Sequence, residues 1–152
     1  MDVARLARRF ASGGGWSEIR RVFPSWSVEI PPSFEETFVE QDMYWHAWDE
    51  ARSVSLTSMT IADERGRPVS ADAIEERMRP LLSGDPVAEV PLGLIAWATT
   101  DAAPASAKAS QVLQGVVATR GRVLLVTVTS DDLVWARGVW LSIRHYPPTR
   151  SD

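Results

Sequence analysis

The chain has 152 residues, a net charge of −4, 45% hydrophobic and 24% charged residues, and no cysteine. That length suits a single soluble domain, and the acidic balance disfavours generic nucleic-acid binding. Without cysteine there can be no disulfide, no thiolate nucleophile, no cysteine-based zinc or iron–sulfur site and no lipid-bearing cysteine.

The first stretch, VARLARRFA, places Leu6 and Phe10 four apart and predicts a short basic helix. Ser12-Gly13-Gly14-Gly15 then reads as a flexible linker. Residues 1–22 are therefore expected to be a basic appendage, and residues 23–152 a single domain. MDVARLARRF lacks the continuous apolar segment of a secretory signal, and no apolar run approaches the ~18 residues of a transmembrane helix. The expectation is a cytoplasmic protein without membrane insertion. One lysine, Lys108, against fifteen arginines points to a GC-rich, bacterial coding sequence.

Trp26-Ser27-Val28-Glu29-Ile30 alternates with period two, as a half-buried strand does, and Pro31-Pro32 ends it. Phe34 to Phe38 is expected to be a turn or a short helix. Residues 29–50 carry Glu29, Glu35, Glu36, Glu40, Asp42, Asp49 and Glu50 with no lysine or arginine. Such a run is ordinarily a solvated face, though it could also pair with the basic N-terminal segment of this chain or of a neighbour.

MYWHAW at 43–48 puts Met43, Trp45 and Ala47 on one parity and Tyr44, His46 and Trp48 on the other. Bulky groups on both sides predict a strand covered on both faces. The competing reading leaves Tyr44, His46 and Trp48 on a partly open face that receives an apolar partner, since tryptophan and tyrosine are favoured interface anchors. Ser53 to Ile61 reads as the return strand after a turn at Asp49–Arg52. Its apolar parity slips between Leu56 and Met59, which predicts a bulge near Thr57-Ser58.

Ser70 is an N-cap for a helix over Ala71 to Met78, limited by Pro80. Gly93 to Thr100 reads as a strand, Asp101 to Lys108 as a connection, and Ser110 to Thr119 with Arg122 to Thr129 as a hairpin about Arg120-Gly121. The last element is a long C-terminal helix, capped by Ser130-Asp131-Asp132 and running to about His145. Leu133, Trp135, Ala136, Val139, Trp140 and Ile143 form its apolar arc. Strands in runs with few helices give an α+β expectation: a central antiparallel sheet packed by helices on both faces.

The ending RVLLVTVTSDDLVWARGVWLSIRHYP resembles the last strand and C-terminal helix of the PsbP-like superfamily, also called the Mog/PsbP fold. WSVEIPPSF is similar to that family's opening strand and proline-bounded turn, and SVSLTSMTIAD with its following helix is similar in order. The resemblance spans roughly residues 24–147 and implies an antiparallel sheet with helices on both faces. It also implies a binding module, since the superfamily includes photosystem accessory proteins, a Ran GTPase-binding factor, mycobacterial Lpq-type lipoproteins and Eag-type chaperones of secretion effectors. It carries over no catalytic residue. The chain departs from the Lpq-type members in lacking a signal and a lipid-bearing cysteine.

No catalytic signature stands against that reading. The two histidines, His46 and His145, are far apart, so a metal would have to gather His46 with Asp42 or Asp49 at non-standard spacing. There is no GxSxG elbow. Glu35, Glu36, Glu40 and Asp42 could supply acid/base carboxylates but crowd one expected loop. Gly13–Gly15 lacks the lysine and hydroxyl residue of a phosphate loop. Aromatics beside acidic residues would repel a nucleic-acid backbone.

The expected function is thus a non-enzymatic interaction or adaptor-like module with no cofactor, no catalytic residue and no metal. Its site would be Tyr44, His46 and Trp48, and its partner an unidentified protein. The alternative is a small-ligand protein or enzyme with a pocket between sheet and helix, lined by Trp45 or Trp97. A third is a homo-oligomer associating through the sheet.

Overall fold

A computed structural model describes residues 8–9, 16–81, 85–87, 95–103 and 109–146. In chain order these form β1 (Arg8–Arg9), β2 (Trp16–Val22), β3 (Trp26–Ile30), β4 (Glu35–Val39), β5 (Tyr44–Trp48), β6 (Ser53–Thr60), α1 (Ala71–Met78), β7 (Asp85–Val87), β8 (Ile95–Ala102), β9 (Gln111–Thr119), β10 (Arg122–Ser130), α2 (Leu133–Leu141) and β11 (Arg144–His145). The strands make a seven-stranded sheet in the order β4-β5-β6-β10-β9-β8-β7 and a four-stranded sheet in the order β1-β2-β3-β11. Every pairing is antiparallel.

The fold is mostly β, which corrects the α+β expectation of one central sheet between helices with a long C-terminal helix. The described residues form two sheets, and the two α-helices among them have only eight and nine residues. The C-terminal helix is short for local reasons. Its N-cap is Asp132, whose carboxylate accepts from the N–H groups of Val134 and Trp135. Ser130 instead closes β10. At the other end the Ser142 hydroxyl donates to the Val139 carbonyl and accepts from the Glu29 N–H, and the Arg144 guanidinium donates to the Leu141 carbonyl. These bonds satisfy groups that a further helical turn would have used. Arg144 and His145 then pair with Ser27 and Trp26 of β3. The apolar arc still seats itself, with Trp135, Ala136, Val139, Trp140 and Ile143 buried.

Residues 16–22, assigned from sequence to an appendage, form β2, which pairs with β3 from Glu18↔Ile30 to Val22↔Trp26. Arg8–Arg9 pairs with Trp16–Ser17 as a strand rather than as part of a helix. The Gly13–Gly15 linker lies outside the described residues. The expected connection over Asp101–Lys108 is described only as far as residue 103.

Two apolar clusters sit on opposite faces of the large sheet. The larger gathers Trp45, Ala47, Val54, Leu56, Leu113, Val117, Leu124, Val126 and Val128 with α2 and β3. The smaller gathers Ile74 of α1 with Val116, Ala118 and Val123, flanked by Met59, Ile61 and Leu125. This division explains the parity slip in β6. Its register with β10 runs without interruption from Ser53↔Thr129 to Thr60↔Arg122, so there is no bulge in that pairing. Val54 and Leu56 face the first cluster and Met59 the second, because the covered face changes along the strand.

The β9–β10 hairpin turns at Gly121, whose φ of 73° is the left-handed conformation glycine adopts at little cost. Ser70 caps α1 by accepting from the Ala73 N–H. Gly115 is fixed by a different constraint. A β-carbon there would lie 2.6 Å from a ring carbon of Trp140 and 2.9 Å from the β-carbon of Ala98. The glycine lets α2 seat its buried indole against β9.

Candidate functional site

Strand β5 lies one place in from the β4 edge of the large sheet, so it is neither central nor covered on both sides. Trp45 and Ala47 are buried in the larger cluster. Tyr44, His46 and Trp48 are half-buried on the other face. MYWHAW is thus a strand with one face in the core and one open, which corrects the expectation of burial on both sides.

The register shows what surrounds the open side, because directly opposed residues share a face. His46 lies between Thr37 and Ser55, Trp48 between Glu35 and Ser53, and Tyr44 between Val39 and Thr57. One strand further, Thr127 and Thr129 of β10 continue the polar surface. Helix α1 packs on β8 and β9 and against Val123 and Met59, and among the described residues its cluster does not include Tyr44, His46 or Trp48.

The three rings form a row. The His46 and Trp48 centroids are 4.9 Å apart at 31°, and those of Tyr44 and His46 are 6.1 Å apart at 37°. The Tyr44 hydroxyl donates to Ser55 Oγ at 3.2 Å, which holds that end of the row. Burial pushes the His46 imidazole below its ordinary range, so its neutral form is favoured between the two rings.

Carboxylates rim the row. Glu35, Glu40, Asp42 and Glu50 are exposed. Among the described residues none of these four is in an ion pair. A cavity of about 270 Å³ beside Trp48 is lined by Ser33, Glu35, Asp49 and Glu50. Asp49 is already engaged: burial alone would raise its carboxyl, but hydrogen bonds from the Arg52 side chain and from the Ala51 and Arg52 N–H groups outweigh burial and lower it. Arg52 in turn lies over Trp135 of α2, 4.7 Å from the ring centroid, and pins the β5–β6 turn to the core.

On the core side of β4 a cleft of about 500 Å³ opens between β2 and β4, lined by Arg20, Arg21, Val22, Phe23, Phe38 and Trp45 among others. Phe23 meets Phe38 edge-on at 5.7 Å. Glu36 accepts from Trp45 Nε1 at 3.2 Å and pairs with Arg20 at 3.1 Å, so the acidic stretch does meet the basic N-terminal segment here. This cleft lies between the two sheets, not between sheet and helix as expected. Trp45 lines it, and the Trp97 side chain lies outside the described residues.

The remaining candidates disperse. His145 stacks edge-on with Trp26 at 4.7 Å in the small sheet, and burial and the nearby Arg122 charge lower its pKa. Among the described residues no three histidine, aspartate or glutamate side chains converge to hold a metal ion. The Ser130 hydroxyl accepts from the Asp132 N–H. None of the described helices is long and apolar enough to cross a membrane.

Sequence reasoning missed the β4 edge and the cleft. The visible signal was Thr37-Phe38-Val39, a run of strand-favouring residues inside the acidic segment. Compared with protein-family models and with curated proteins, the sequence matches none of them.

Proposed function

We propose that this protein is a non-catalytic, cytoplasmic module that binds another protein through the face carrying Tyr44, His46 and Trp48. The observation that carries the reading is the ring row itself: three half-buried aromatic side chains on one sheet face, beside carboxylates that form no ion pair among the described residues. Aromatic anchors of this kind bury large area at low conformational cost on binding.

The test is capture from native lysate with the wild type and with a Tyr44→Ala/Trp48→Ala variant shown by circular dichroism to be folded. The expected result is a protein held by the wild type and lost by the variant. Equal capture by both would remove the face from the interaction. A second reading, a small-ligand protein, is favoured by the 500 Å³ cleft between β2 and β4, which is in the size range of ligand pockets. Thermal stabilisation by a small molecule, abolished in Phe38→Ala and retained in Tyr44→Ala/Trp48→Ala, would favour that reading over the first.

A further inference from the structure

We infer that the partner presents an extended basic strand which adds to the outer edge of β4. Its apolar side chains would enter the cleft beside Phe38, and its alternate arginines or lysines would lie over the acidic rim of the aromatic row. The inference rests on the reading of that face as a binding surface and gives the partner its chemistry.

The first support is the edge itself. β4 is the terminal strand of the large sheet, and among the described residues it pairs only with β5. No backbone hydrogen bond among the described residues reaches its outer side. In an antiparallel ladder the N–H and C=O groups of every second residue point outward, so the edge offers a ready template for another strand. All five residues of β4 are exposed, and Phe38 and Val39 keep 49% and 40% of their surface in contact with solvent.

The second support is alternation. Glu36 and Phe38 stand on the cleft side of β4 with Trp45 and Ala47, and Glu35, Thr37 and Val39 stand beside Trp48, His46 and Tyr44. A strand paired with β4 continues both faces with the same period of two. Its side chains on one parity meet the apolar walls made by Val22, Phe23, Phe38 and Trp45. Those on the other parity meet Glu35, which stands opposite Trp48 of the aromatic row.

Charge selects among strands. A second copy adding antiparallel through β4 would set Glu35 opposite Val39 and Glu36 opposite Phe38, and its strand EETFV offers no cation to these carboxylates. The same carboxylates attract a cationic strand. An arginine on that strand can also lie over the Trp48 or Tyr44 ring, where the quadrupole favours a cation. Main-chain pairing would supply affinity, and the two-sided pattern would supply register.

The experiment titrates the full chain with a short acetylated peptide of alternating arginine and valine, followed by calorimetry and by amide shifts. Two controls replace the arginines by glutamates, or place a proline at the peptide's centre. The expected result is binding with shifts concentrated on Glu35–Val39. Either control, and a Glu35→Lys/Glu40→Lys variant of the protein, should weaken binding about tenfold or more. Equal binding of the proline peptide overturns strand addition, and equal binding of the glutamate peptide overturns the charge argument. No binding of any peptide overturns the inference, and the lysate capture then decides the aromatic face by itself. Wild-type binding by the folded Tyr44→Ala/Trp48→Ala variant, with shifts still on β4, supports the edge and removes the aromatic face.

Discussion

Both faces of β5 are built from aromatic and small side chains, yet they meet different surroundings. Trp45 and Ala47 are buried under the small sheet and α2, and the Trp45 indole N–H is satisfied by Glu36. On the alternating positions of the same strand, Tyr44, His46 and Trp48 lie half-open beside Ser53, Ser55 and Thr57. Hydrophobicity does not separate the two sets. What separates them is which neighbouring elements pack on each side: α2 and β3 cover one, and the α1 cluster, which takes in Val123 and Met59, does not include Tyr44, His46 or Trp48 of the other. An aromatic residue on a strand is therefore core or surface according to topology, and only the second kind is available to a partner.

The most severe way to test that contrast is to truncate the inward ring. Trp45→Ala removes a buried indole and leaves Glu36 without one of its partners, so it should cost about 3–5 kcal/mol in urea unfolding. A loss below about 1 kcal/mol would mean the inward face is not the tightly packed one. Gly115→Ala probes the same packed side from β9. Its β-carbon would meet the Trp140 ring at 2.6 Å. Overpacking of that kind costs about 1–3 kcal/mol, and the near-ultraviolet tryptophan signal should change with it.

Acid sharpens the comparison further. His46 on the open face and His145 beside Trp26 both have pKa values lowered by burial, His145 also by the charge of Arg122. For a histidine depressed in the folded state, the unfolded chain binds the proton more readily. The stabilising contribution is then fully present above the unfolded value of about 6.5 and is lost as pH falls through the folded value. Urea midpoints should therefore fall between neutral pH and mildly acidic pH. His46→Gln and His145→Gln should each flatten part of that fall, and a profile unchanged in both variants would sink the assignment.

Much of the strand order along the chain can be read from period-two patterns, as at Trp26–Ile30 and in the β9–β10 hairpin. Three features cannot, each for a physical reason. β4 reads as an acidic loop because an edge strand wet on both sides needs no apolar alternation; only Thr37-Phe38-Val39 hints at it. The slip in β6 reads as a bulge because one sequence records two different covers, α2 with the small sheet at Val54 and Leu56, and α1 at Met59. The end of α2 lies beyond local signals, because it is set by Ser142 and Arg144 meeting the helix carbonyls and by β3 offering its edge. For the site, the sequence places Tyr44, His46 and Trp48 on one parity but leaves open which parity is covered. The cover comes from segments far along the chain.

The mildest substitution is the most discriminating for function. Trp48→Ala removes the larger ring at one end of the row, where Trp48 stacks on His46 and lines the acidic cavity. Its cross-strand neighbours are Glu35 and Ser53, and pairs of that kind contribute about 0.2–1 kcal/mol. Stability should therefore fall by no more than that, in contrast to Trp45→Ala. Removal of the ring should also loosen His46 towards solvent and move its pKa back up towards the ordinary value, which nuclear magnetic resonance titration of the imidazole reads directly. If Trp48→Ala instead destabilised as much as Trp45→Ala, the outward ring would belong to the core and could not anchor a partner. A small stability cost together with a raised His46 pKa would leave Trp48 as a surface ring that shields its neighbour and remains free to be covered by another chain.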